Sequence, residues 1–122
     1  MIIVFGEILL DIFLDYTRIG GAPFNFAFHL HRLGLPVRFV SRVGRDENGE
    51  KIGAFLKAQG FPATDLQFDD GRPTGTVQVT LDAGGSPRFD IRTDVAYDAI
   101  DLVPLAGTLA AQPPKLFYFG TL

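Results

Sequence analysis

The spacing of apolar residues changes several times along this chain. Ile2 to Phe5 and Ile8 to Phe13 are rich in branched and aromatic residues. That run predicts one largely buried strand from about Ile2 toward Leu10. From Pro23 the spacing becomes helical, with Phe26, Leu30 and Leu33 on one stripe that Phe24, Ala27 and Phe28 widen. Pro23 suits a first helical turn, where its missing N–H costs nothing, and Gly34 is a natural stop after Leu33. Val37 to Val43 reads as the next strand. Asp46 is placed to cap a second helix, with Glu47 and Glu50 near the positive end of its dipole. Ile52, Phe55 and Leu56 give that helix a buried face, and Gly60 ends it. Strand, helix, strand and helix at short spacing predict an α/β fold, a parallel sheet flanked by helices.

A period of two follows. Val77, Val79 and Leu81 alternate with Thr76, Gln78, Thr80 and Asp82; after Gly84-Gly85, Phe89 and Ile91 alternate with Arg88, Asp90 and Arg92. This predicts a hairpin with one apolar and one polar face. Leu105 to Gln112 reads as a helix stopped by Pro113-Pro114. Leu116 to Phe119 is wholly apolar and reads as a central parallel strand. A central strand needs a layer on each face and a crossover to its neighbour, so the chain is expected to be the front part of a larger domain.

Composition narrows the function classes. The 122 residues suit one domain, and 47% hydrophobic with 20% charged residues suits a packed core. A formal charge of -3, with Lys and Arg scattered, argues against binding driven by nucleic-acid phosphates. No cysteine is present, which removes disulfides and thiolate metal sites and suits a reducing cytoplasm. The apolar start lacks a basic region and is broken by Gly6-Glu7, so it does not read as a signal peptide. No run reaches membrane-spanning length, and no repeat is evident.

The most specific motif lies between Gly20 and Gly60. It reads Gly20-Gly21-Ala22-Pro23-Phe24-Asn25, then Arg32-Leu33-Gly34, then Val43-Gly44-Arg45-Asp46 with Gly49. The pattern resembles the N-terminal signature of the ribokinase-like (phosphofructokinase-B type) carbohydrate kinases, most closely their fructokinase-type members. The resemblance covers essentially the whole chain. It implies a ribokinase-like, Rossmann-type parallel sheet with a small β lid, of which residues 1–122 would be the N-terminal part. It also implies transfer of the γ-phosphoryl group of ATP to a sugar hydroxyl with Mg2+.

Site residues follow from the same resemblance. Asp11 matches an aspartate that accepts hydrogen bonds from sugar hydroxyls, and an ionised carboxylate is suited to hold a polyol that way. Without the resemblance Asp11 is a surface carboxylate at a strand end. Gly20, Gly21 and Asn25 match the floor of the sugar pocket; otherwise they are a plain loop-to-helix turn. The hairpin, about 74–93, resembles the lid that closes over the sugar and in several members forms the dimer contact. Phe89, Ile91 and Arg92 are its candidate sugar contacts. The alternative is an ordinary hairpin on its own core. The segment from Asp11 to Gly20 is short, whereas many of the resembled kinases have a longer insertion there that contributes another lid strand, so the resemblance fixes neither the full lid geometry nor which sugar fits.

Other residues carry less chemistry. His29 and His31 are two apart on a helix and point to different sides, so they do not chelate one metal. Asp69-Asp70 with Gly71 reads as a solvated turn, and Tyr97-Asp98 carries no signal. The resembled kinases take their catalytic base from a Gly-Ala-Gly-Asp run, and an Asn-x-x-Glu element serves metal and phosphate. Neither run occurs in these 122 residues, so Asp11 is not read as the base and the chain alone is expected to be inactive. Two rivals remain: a non-catalytic sugar-binding module, and a dimerisation module using the hairpin's apolar face.

Overall fold

The computed structural model describes residues 1–120 and 122. Two four-stranded sheets form its frame. In the first, β1 (Ile2–Phe5) lies between β4 (Val37–Gly44) and β8 (Leu116–Phe119), and β5 (Leu66–Asp69) adds beyond β4. Every pairing in this sheet is parallel. In the second, β2 (Leu9–Ile12) lies between β3 (Thr17–Gly20) and β6 (Thr76–Leu81), and β7 (Pro87–Ile91) flanks β6.

The parallel sheet is covered on both faces. Helices α1 (Ala22–Arg32) and α2 (Glu47–Ala58) bury Phe24, Ala27, Ile52 and Leu56 against Val4, Phe39 and Val43. On the other face, Leu105 of α3 (Val103–Ala111) packs against Ile3 and Val40. The in-and-out alternation of β1 and β4 feeds both layers, as burial on two faces requires.

One strand was expected from Ile2 toward Leu10, and the structure has two. The chain breaks at Gly6, whose φ of 150° is open to glycine alone among common residues. A Cβ there would lie 2.5 Å from Pro23 Cγ, so the start of α1 packs directly on the break. β1 stays in the parallel sheet, and β2 turns away into the second. Asp11 therefore lies within β2 and not just past the first strand.

The short Asp11–Gly20 segment carries a strand of its own, β3. It is itself a β2–β3 hairpin, closed by Phe13 N–H donating to the Tyr16 carbonyl at 2.8 Å. The second sheet is thus larger than the single hairpin of 74–93. β8 pairs with β1 in parallel and is, with β5, one of the two edge strands of this sheet among the described residues, with Phe119 and Leu116 exposed.

Two acidic residues brace the crossing into the second sheet. Asp46 caps α2 by accepting from Gly49 N at 2.8 Å. The same carboxylate accepts from Thr74 N at 2.9 Å and Thr74 Oγ1 at 2.6 Å, tying the foot of β6 to α2. Asp69, expected in a solvated turn, is only 5% exposed. It accepts from the backbone N–H groups of Gly71 and Arg72 and from Arg42 Nε, because a carboxylate buried at a strand end needs donors on every lone pair. Asp70 is the exposed member, paired with Arg45 at 2.6 Å. His31 bonds the Gln59 carbonyl at 2.6 Å and packs at a tilt on Phe61, joining the ends of α1 and α2.

Candidate functional site

Strand register decides which residues share a face. Asp11 pairs with Arg18 on β3 and with Val77 on β6, and Val77 pairs with Ile91 on β7. Leu9 pairs with Gly20. Cross-strand partners point the same way. One face of the second sheet therefore carries Asp11, Gly20, Arg18, Val77, Val79, Phe89 and Ile91. The opposite face, with Leu10, Ile12 and Ile19, packs into the main core.

Asp11 and Gly20 meet on that face. A Cβ at Gly20 would run into Asp11 Oδ2, so a side chain at position 20 would displace the carboxylate. Gly21 follows with φ 108°, and a Cβ there would lie 2.6 Å from the Glu7 carbonyl oxygen. This is the N-cap of α1, where the chain leaves β3 and turns into the helix. Asn25 stands one turn on, its N–H donating to the Gly21 carbonyl at 2.9 Å and its side chain exposed. A carboxylate, a glycine corner and the first turn of a helix thus form one neighbourhood.

The electrostatics suit a hydroxyl acceptor. Burial raises the Asp11 pKa above the usual carboxylate value, and the nearby Arg18 charge lowers it in part. A carboxylate already partly desolvated gives up less hydration when it binds. Arg18 stands 3.8 Å away, with its guanidinium over the Phe13 ring.

The other sequence candidates are more distant. Ile91 lies two strands from Asp11 on the same face, about 10 Å at ordinary strand spacing. Phe89 lies further along β7 and is 63% exposed. Arg92 follows the last residue of β7; its N–H donates to Thr76 O and its charge acts on Asp46. An open, mostly apolar groove of about 860 Å3 flanks the Phe13–Tyr16 turn, lined by Leu14, Tyr16, Val79, Leu81 and Pro87 among others. It lies at the far end of the sheet from Gly20.

Sequence reasoning missed Glu7 and Tyr97. Glu7 is 4% exposed, at the corner that receives Gly21. The Tyr97 ring packs on Gly75, and its buried hydroxyl has no hydrogen-bond partner among the described residues. Burial, then the charges of Asp98 and Glu7, push the Tyr97 pKa up to about 12. Gly75 directly before an alternating strand hints at a close neighbour; nothing in the sequence identifies it as Tyr97.

No group of three or more His, Asp or Glu is placed to hold a metal ion among the described residues.

A parallel sheet layered by helices, a strand-built flap beside it and a carboxylate–glycine corner at their junction define a ribokinase-like sugar kinase fold. Residues 16–98 match the model described as "pfkB family carbohydrate kinase", and the chain belongs to that family. Fructokinase-2 of Solanum lycopersicum is 31% identical over 135 residues, spanning all of this chain and 41% of the relative. The sugar kinase PH1459 of Pyrococcus horikoshii, solved in complex with ATP, superposes with a TM-score of 0.84 at 30% identity. That match covers 98% of this chain and 43% of the other. A fructokinase of Xylella fastidiosa with bound ATP gives 0.84 at 26% identity, over 97% and 38% of the two chains. The chain thus spans about two fifths of the length of the relatives it matches.

Proposed function

We propose that this chain supplies the sugar floor and lid of an ATP-dependent carbohydrate kinase acting on a sugar such as fructose. The observation that carries this reading is the contact of the Asp11 carboxylate with Gly20 at the head of α1. Asp11 accepts hydrogen bonds from two sugar hydroxyls. Gly20 and Gly21 let the backbone approach the sugar, and Asn25 offers a donor and an acceptor. Residues 1–122 form the N-terminal part of the kinase domain, and 74–93 belong to its lid. Phe89, Ile91 and Arg92 approach the sugar as the lid closes, which keeps water away from the transferring phosphoryl group.

ATP enters this reading from the ATP-bound sugar kinases that the chain resembles. Mg2+ enters from the general need to neutralise phosphate charge in phosphoryl transfer. No residue of this chain is assigned as the base that takes the hydroxyl proton, so the chain by itself is proposed to bind sugar without turning over ATP.

Titration calorimetry with fructose tests the floor. Saturable binding is expected, weakened at least tenfold in Asp11→Asn, since a hydrogen bond to a charged group contributes about 1.5–3 kcal/mol. Equal binding by both proteins overturns the reading. Fructose-dependent ADP release by the chain alone would overturn the division of labour.

Exposed Leu81 and Phe89 favour a second reading, a homodimer through the lid face. Sedimentation should then show a dimer that Ile91→Asp dissociates, with no effect of sugar.

A further inference from the structure

We propose that Tyr97 is a positioning residue of the sugar site: its hydroxyl donates to the Glu7 carboxylate when the flap swings onto the sugar, and so favours the closed flap. This deepens the sugar-floor reading above and rests on it. The chain crosses between the two sheets at Gly6-Glu7, at Gly20-Gly21, at Gly75 and again over residues 92–95. Those crossings are the hinge of the flap, and glycine, whose backbone bends at least cost, stands at all but the last. Tyr97 sits among them. It follows the fully buried Val95 and Ala96 in a short helical turn, Ala96–Ala99, that packs beside β4. The Ala96 N–H donates to the Pro73 carbonyl at 2.8 Å, so this turn belongs to the body of the protein. The Tyr97 ring reaches the other way, onto Gly75 and toward Leu9 and Val77 of the flap. Turning the flap therefore changes what the ring and its hydroxyl meet.

The hydroxyl is a buried donor with no acceptor among the described residues. Such a donor costs free energy that a conformation offering an acceptor recovers. Burial, then the charges of Asp98 and Glu7, hold its proton in place. Asp98 is exposed to water and already accepts from the Val95 N–H at 3.2 Å, so it gains little from a further donor. Glu7 is 4% exposed, and a carboxylate that far from water needs donors. Its side chain packs at the glycine corner, with Cγ 3.3 Å from where a Cβ of Gly21 would stand. Glu7 thus lies at the hinge itself, between the flap and the head of α1. The sugar supplies the pull. Asp11 belongs to the flap and Asn25 to α1, so a sugar held by both draws the two together. The Tyr97–Glu7 bond forms only in that state, and its loss is read in affinity and not in the stability of the free protein.

Calorimetry with D-fructose on the full 122-residue chain and on its Tyr97→Phe variant tests this. Tyr97→Phe should bind fructose about tenfold more weakly or worse, at the usual strength of a hydrogen bond to a charged group, while the free protein unfolds at no lower temperature. Glu7→Gln should weaken binding in the same direction, and adding Tyr97→Phe to it should cost little more, since one bond is lost only once. The phenol also gives a spectroscopic signature. The chain has three tyrosines and no tryptophan, so fructose should move the tyrosine absorbance to longer wavelength in the parent chain and not in Tyr97→Phe. Equal fructose affinity in the two proteins overturns the inference and leaves the sugar floor standing. Additive losses from the two substitutions overturn Glu7 as the acceptor. Weaker binding matched by an equal loss of stability in the free protein makes Tyr97 a packing residue and overturns its positioning role. No fructose binding by the parent chain overturns the floor reading and this inference with it.

Discussion

At the residue scale, Gly20 is where a single methyl group separates fold from function. A Cβ there meets the Asp11 carboxylate, whose side chain is only 19% exposed and has to shift aside. Gly20→Ala should therefore cost stability only about 1–2 kcal/mol, the usual range for modest overpacking. Fructose affinity should fall much further, because the displaced carboxylate no longer faces the pocket. Thermal unfolding and calorimetry on the same protein separate the two effects. Tyr97 predicts the reverse. Its hydroxyl is buried without a partner, so Tyr97→Phe should leave thermal stability unchanged or raise it by about 1 kcal/mol. A clear loss would mean that the hydroxyl has a role in the fold. The helix start at Gly20-Gly21-Ala22-Pro23 was readable in the sequence because that run marks a turn into a helix, whereas Asp11 stood out only through the family resemblance. Tyr97 and Glu7 were not, since their roles come from contacts between distant parts of the chain.

At the element scale, the sequence reads well where ends are chemically marked. α1 and α2 fall within a residue or two of expectation because Pro23, Gly34, Asp46 and Gly60 punctuate them. The break between β1 and β2 does not show, because Ile8 and Leu9 resume the apolar run directly after Gly6-Glu7 and only the packing of Pro23 makes Gly6 a corner. β3 was missed because Thr17 and Arg18 are exposed and leave no alternation to count. β5 was missed for a similar reason: four residues with two half-buried apolar ones carry too little pattern. The second sheet depends on one joint, the tether of Thr74 to the cap of α2. Asp46→Ala removes a helix cap of about 1 kcal/mol and also leaves the buried Thr74 N–H without its acceptor. A total loss of about 2–4 kcal/mol is expected in denaturant unfolding. Hydrogen exchange should also show faster opening of β6 and β7 than of β4. Uniform exchange across both sheets would contradict the joint.

At the scale of the molecule, the fold responds to acid through the two carboxylates that brace the crossing from the first sheet to the second. Asp69 is held down to about 2, against 3.8 for a free aspartate, by the N–H groups of Gly71 and Arg72 and then by Arg42. Asp46 is lowered as well, since its bonds from Thr74 and Gly49 outweigh its burial. A folded-state pKa below the unfolded one gives stability that is present above pH about 4 and is lost as pH falls toward about 2. Asp69→Asn should flatten the stability curve in that window and leave the slope above it unchanged. Asp11 acts in the opposite direction, because its raised pKa makes its ionised form slightly costly to the fold and protonation relieves that cost.

Sugar docking where the flap meets the head of α1 is the proposal from which the rest follows. Amide chemical-shift mapping during a fructose titration locates the ligand directly. The signals of Asp11, Gly20, Gly21 and Asn25 should move first and saturate together. Shifts gathered instead around Leu14, Tyr16 and Leu81, or no saturable shifts at all, would contradict it.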